Sequence, residues 1–384
     1  MRYLIASIPA LTPALTLTLA LAAGACTDDP TEPTATPKLD LRMTATIPAG
    51  AEVEYCKFVS VPETWVTRDA IDFTAGSHHV LVFQTKYTAI PTQKDNGTPV
   101  DTSDVFDCSD GPTSGWSLTK IIGGSQNQRG GSVLAFPEGV GLRLGGVLLI
   151  NVHYRNGSDA PLHTDVKVTF DTTTADEIEQ EGDIMSLYNP LISVPPGRTA
   201  RAHMRCPVHR DITIVNAQSH MHARGIGFEA RIAGQAPFYA SDRWEDVPVQ
   251  RYDAFTVPAG SQIDYFCDYR NIGGTPIYQG PRTTDEMCSL AASYYPADPR
   301  TAFCLEESGR TLGAEWIGQG TATCQQTMGC LQEAVSKDLA AVTDCMLAAS
   351  PTVSAESSEL LRCMFRAENP LTECGAELGA CAAH

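Results

Sequence analysis

The chain has 384 residues, 43% hydrophobic and 19% charged, which is enough to bury two or three domain cores and argues against global disorder. A net charge of −18 without clustered Lys and Arg excludes a nucleic-acid surface, whose affinity depends on displacing phosphate counterions. The 13 cysteines lack C-x-x-C spacing, so they point to disulfides made in an oxidising compartment and not to a zinc ribbon.

Arg2 supplies a short positive n-region, and Leu11 to Ala23 form an apolar stretch too short for a membrane span. Residues 1–25 therefore read as a signal peptide. Ala23-Gly24-Ala25-Cys26 is similar to a bacterial lipobox, which makes Cys26 the expected lipidated N-terminus. Setting Cys26 aside leaves an even number of cysteines. The expected location is the bacterial periplasm or cell surface, lipid-anchored at the outer membrane, with secretion after ordinary cleavage as the alternative. Residues 26–40, rich in Pro, Thr and Asp, read as a tether.

Strand patterns follow. His79–Phe83, Gly146–Tyr154, Asp165–Phe170 and Ile212–Ala217 are short β-branched or apolar runs between Gly, Pro, Asn and Asp. A new strand-rich block opens near Val194-Pro195-Pro196-Gly197, placing a boundary at about 190 and two domains at 41–190 and 191–318. Beyond residue 319, helical spacing over 325–349 and 354–367 accompanies Cys324, Cys330, Cys345, Cys363, Cys374 and Cys381. The fold class is mainly β: two consecutive antiparallel β-sandwich, jelly-roll-like domains, then a small disulfide-rich α-helical module at 319–384. That module reads as a structural or docking appendage, its partner open and its disulfide connectivity undetermined among fifteen arrangements.

The candidate chemistry lies in histidines. His220 and His222 fall on one face of a strand and can share a metal ion. His78 and His79 are neighbours, so joint ligation needs a strand end or bulge; the Gly76-Ser77 lead-in makes a strand start there plausible. His153 closes an apolar strand, and Met287 carries a thioether, the donor that selects Cu(I). Taken singly, each is more economically a core residue.

In order, however, His78-His79, Val152-His153-Tyr154, His220-Met221-His222, Glu286-Met287-Cys288 and Tyr294-Tyr295 resemble the copper type II, ascorbate-dependent monooxygenase family. That family includes the peptidylglycine α-hydroxylating and dopamine β-hydroxylating enzymes. Tyr55-Cys56, the stretch from Pro137 to Arg143 and Pro195-Pro196-Gly197 fit the same pattern, which spans roughly residues 41–310. The resemblance implies two copper ions per chain. His78, His79 and His153 would hold an electron-storing site in the first domain. His220, His222 and Met287 would hold the catalytic site, where O2 meets a small-molecule or peptide substrate. Ascorbate or a similar one-electron donor would be the reductant. It also implies the pairs Cys56–Cys108, Cys206–Cys304 and Cys267–Cys288.

The pattern thins at the substrate positions. Where the peptide-amidating branch carries Arg, Asn and Tyr for a peptide carboxylate, this chain has Gln218, Ser289 and Ala291, which argues against peptide amidation. Gln218 is similar to the dopamine-hydroxylating branch. The expected activity is therefore copper-dependent hydroxylation of a C–H bond in an open substrate. The alternatives are a non-catalytic copper-binding or surface interaction protein on the same scaffold and, less well supported, a zinc hydrolase. No nucleic acid is expected as partner, and membrane contact only through Cys26.

Overall fold

The computed structural model describes residues 37–127, 132 and 134–383. The expected signal peptide, Cys26, most of the expected tether and His384 lie outside them. The tether is shorter than expected: Lys38, Leu39 and Asp40 already belong to the first strand, β1 (Lys38–Ile47), which pairs along its whole length.

The protein is mainly β, in antiparallel sheets followed by a small helical region. With β1, β2 (Glu52–Phe73), β3 (Ser77–Thr85), β4 (Leu118–Ser125), β5 (Val140–Arg155) and β6 (Leu162–Thr173) give an eight-stranded sheet, its long strands in the order β1-β6-β2-β5-β3-β4. Register shifts at Val61/Thr64 and Val66/Arg68 let β2 pass from β5 to β6, so one strand serves two parts of the sheet. Leu148, Ile150 and Val152 of β5 pack with Val80, Val166 and Phe170. Val147 and Leu149 turn the other way, against Phe58, Trp116 and the Cys56–Cys108 disulfide. Burial on both faces explains why this strand reads as one apolar run and not as an alternating one.

The second sandwich comprises β7 (Asp183–Tyr188), β8 (Thr199–Pro207), β9 (Ile212–His220), β10 (Gly225–Ile232), β11 (Pro237–Ser241), β12 (Gln250–Val257), β13 (Gln262–Arg270), β14 (Ser289–Tyr295) and β15 (Glu315–Trp316). A five-stranded sheet, β11-β10-β13-β8-β15, shares one core with a four-stranded sheet, β12-β9-β14-β7. Because β7 pairs with β14, this sandwich begins at about 183 and not at 191. The Pro195-Pro196-Gly197 marker sits in the turn before β8, one strand too late.

The helical stretch expected over 325–349 is two helices, α1 (Cys324–Ala334) and α2 (Leu339–Ala348). Asp338 starts α2 by accepting a hydrogen bond from the Ala341 amide, an N-cap that ends the continuous periodicity. α3 (Ser354–Arg366) follows as expected, then α4 (Gly375–Ala382). The disulfides Cys324–Cys381, Cys330–Cys345 and Cys363–Cys374 staple the helices. Leu331, Met346, Leu360 and Leu361 join the core of the second sandwich beside Trp316, whose amide donates to the Ser358 hydroxyl. The module is thus packed structure. The pairs Cys206–Cys304 and Cys267–Cys288 are present with Cys56–Cys108, matching the expected framework. No described helix is long and apolar enough to cross a membrane.

On β13, buried Asp264 accepts from His203, Arg205 and Arg231. Burial by itself would raise its carboxyl; the hydrogen bond and charge of His203, with the two guanidiniums, hold it at about 2. Since this lies below the ordinary 3.8, the stabilisation is present above that value and is lost as pH falls through about 2. Asp264→Asn is expected to cost about 2 kcal/mol at neutral pH. In chemical denaturation, its deficit against the parent should shrink between about pH 4 and pH 2.

Candidate metal centre

Five histidines meet where the two sandwiches face one another. His78 and His79 open β3, and the register slips between Ser77, opposite Tyr154, and His79, opposite His153. That slip is the bulge that neighbouring ligands require: the His78 and His79 ring centroids lie 5.5 and 5.4 Å from that of His153. Gly76 sets the turn before them, with φ +100° and a position where a Cβ would lie 2.7 Å from Leu162 Cδ2.

His220 is the last residue of β9, and His222 lies in the turn beyond it, so strand alternation is not what pairs them. Glu286 does part of this, its carboxylate accepting from the amides of His222 (3.0 Å) and Arg224 (2.7 Å). Burial pushes Glu286 up to about 7 despite those bonds. The His220 and His222 ring centroids are 5.2 Å apart.

The resemblance divides these ligands between two domains; in the fold they form one cluster. His78 is its hub, with ring centroids 5.3 Å from His220 and 5.4 Å from His222. Ligand atoms of His78, His79 and His220 all lie within 4.8 Å of one another. Met287 reaches this corner through its backbone: it follows Glu286, its carbonyl accepts from Tyr269 Oη at 2.7 Å, and the next residue is held by Cys267–Cys288.

Hydrogen bonding fixes which ring nitrogens are free. Glu52, held at about 2 by hydrogen bonds from His153 and Thr283, is ionised and can only accept, so His153 Nε2 donates to it at 3.0 Å. The same reasoning makes His220 Nδ1 the donor to Gln126 Oε1 (2.7 Å) and His222 Nδ1 the donor to the Asp285 carbonyl (3.3 Å). The opposite nitrogens are left as lone-pair acceptors. His78 Nε2, His79 Nδ1, His153 Nδ1 and His222 Nε2 are buried with no hydrogen-bond partner. Burial, reinforced by neighbouring rings, pushes His78, His79 and His220 well below the usual imidazole range, and His222 to about 4. These rings are neutral at pH 7. Structural histidines satisfy their buried nitrogens; neutral rings anchored on one side and unsatisfied on the other are what a metal ion requires.

Residues from both sandwiches do this anchoring. Glu52, on β2, also accepts from the Thr283 amide (2.7 Å) and hydroxyl (2.9 Å) of the second sandwich. Gln126 donates to the Ser219 carbonyl at 2.7 Å, and Asn127 to that of Val247 at 2.9 Å. Asp69 accepts from the amides of Gly124, on β4, and Leu134. No sequence signal marked Glu52, Gln126 or Asp69, because each acts on partners far along the chain. Gln218 is buried on β9, and its Oε1 also lacks a partner. Ser289 and Ala291 sit opposite His220 and Gln218 on β14.

A cavity of about 230 Å³ borders His78, with Arg155 on one wall and Trp244, Glu245 and Asp246 on the other. The Trp244 and His78 ring centroids are 5.7 Å apart.

No family model matches the chain, and no curated protein matches it. Among solved structures it is similar to PNGase F, a glycosylasparaginase from Flavobacterium meningosepticum, at 10% identity and TM-score 0.33, covering 67% of this chain and 94% of that one. It is also similar to the major capsid protein P2 of bacteriophage PM2, at 9% identity and TM-score 0.24, covering 67% and 97%. At such TM-scores neither likeness bears on the chemistry of the site.

Proposed function

We propose that the chain is an exported, copper-dependent monooxygenase that hydroxylates a C–H bond with O2 and an external reductant such as ascorbate. The observation that carries this reading is the cluster of five imidazoles beside a cavity, with buried ring nitrogens of His78, His79, His153 and His222 that lack a hydrogen-bond partner. His78, His79, His153, His220 and His222 would hold copper, with Met287 as the thioether donor. An all-nitrogen set with a thioether suits copper in both oxidation states. Bound copper would supply the electron transfer and O2 chemistry. The chain's part is to orient the rings through Glu52, Gln126 and the Asp285 carbonyl, and to hold a substrate next to His78.

The disulfides suit an oxidising compartment, and we place the protein at the periplasm or cell surface, anchored by lipid at Cys26. The second reading is a copper-binding protein without turnover, favoured by the change at Gln218, Ser289 and Ala291 of the residues that would grip a peptide carboxylate.

The test follows O2 consumption with ascorbate in copper-loaded protein while metal analysis counts the ions. Met287→Ala is expected to abolish coupled O2 consumption while leaving the fold intact, since Met287 is only half-buried. A variant of unchanged rate would sink the monooxygenase reading, and copper uptake without O2 consumption across a broad substrate panel would favour the binding protein.

A further inference from the structure

The cavity beside His78 has an unusual electrostatic lining. Its first wall, from the eight-stranded sheet, presents the guanidinium of Arg155, the last residue of β5. Its second wall presents Trp244, Glu245 and Asp246 from the loop between β11 and β12. Among the described residues, neither Arg155 nor Glu245 has an ion-pair partner within 4.0 Å; Asp246 has only a loose contact with Arg243 at 3.7 Å. Charges of opposite sign thus flank one small cavity without neutralising each other. His78 borders the same cavity.

We infer that this cavity binds a small zwitterion with an apolar body: its carboxylate on Arg155, its ammonium on Glu245 and Asp246, and its hydrocarbon against the Trp244 indole. A ligand carrying both charges pairs both walls at once, and a guanidinium–carboxylate bond is among the stronger polar contacts available. The indole supplies a flat apolar face that also tolerates a nearby ammonium. About 230 Å³ is below the ~300–1,000 Å³ of pockets that enclose drug-sized molecules, which favours a ligand of single-amino-acid size over a peptide. That this ligand is the molecule hydroxylated rests on the monooxygenase reading; that it binds does not.

The test is calorimetric titration of the metal-free protein with L-phenylalanine, phenethylamine and phenylacetate, which carry both charges, only the positive and only the negative one. L-phenylalanine is expected to bind at least about tenfold tighter than either of the others. Arg155→Gln should bring L-phenylalanine down to the affinity of phenethylamine while leaving phenethylamine unchanged. Glu245→Gln should weaken L-phenylalanine and phenethylamine and spare phenylacetate. Both residues are exposed, so the substitutions spare the fold. Absence of L-phenylalanine binding, equal affinity for the three probes, or indifference to both substitutions would overturn the inference. Selective L-phenylalanine binding in a protein that takes up no copper would leave the ligand site standing and remove the monooxygenase reading. Copper-dependent O2 consumption without such selectivity would do the reverse.

Discussion

Under the proposed copper reading, replacing His78 with alanine is expected to reduce copper uptake sharply and to abolish reductant-driven O2 consumption. No other ring touches as many of the cluster: His79, His153, His220 and His222 all have centroids within 5.5 Å of it. Its Nε2 is buried without a partner, so the metal-free variant loses no hydrogen bond from that atom and sheds a desolvated polar group. The melting temperature of the metal-free protein should therefore change little while its metal content collapses. Metal analysis and thermal melts on the same preparation check this. Unchanged copper content would show that the cluster is structural.

Glu52→Ala should act on both stability and metal. The carboxylate accepts from His153 Nε2 and from the amide and hydroxyl of Thr283, so its removal strands a ring donor and a backbone donor on opposite sides of the junction. Losing such paired buried donors costs about 3 kcal/mol. With His153 unanchored, copper affinity should fall by about tenfold to a hundredfold, the usual effect of removing an outer-shell partner. Glu63→Ala is the control: its pair with Arg143 is exposed on both sides, and such pairs contribute about 0–1 kcal/mol. Denaturant melts and competitive copper titration separate the two effects. Equal stability losses in the two variants would remove Glu52 from its place at the junction.

Much of the framework is legible along the chain because it depends on local pattern. β-branched runs between turn residues mark β3, β5, β6 and β9, and the helical spacing marks α3. Boundaries set by pairing are less legible. β7 belongs to the second sandwich only because β14 lies beside it, and the break between α1 and α2 depends on a capping side chain, Asp338. The six cysteines of the helical module are plain in the sequence, yet their three pairings required the helices to be brought together.

The histidines and Met287 are likewise picked out by residue type and order, since ligand chemistry is a property of the side chain. Their spatial relation is not. The bulge at His78, the grip of Glu286 on the His222 turn and the contacts of Glu52 and Gln126 across the junction all join residues tens to hundreds of positions apart. Sequence by itself determined which side chains are of metal-binding type and the period of the strands that carry them. Only the tertiary structure decided that the five rings share one cluster and which nitrogens of His153, His220 and His222 are tied up in hydrogen bonds. Those outcomes depend on hydrogen bonds and burial that exist once the two sandwiches meet, and no local pattern encodes them.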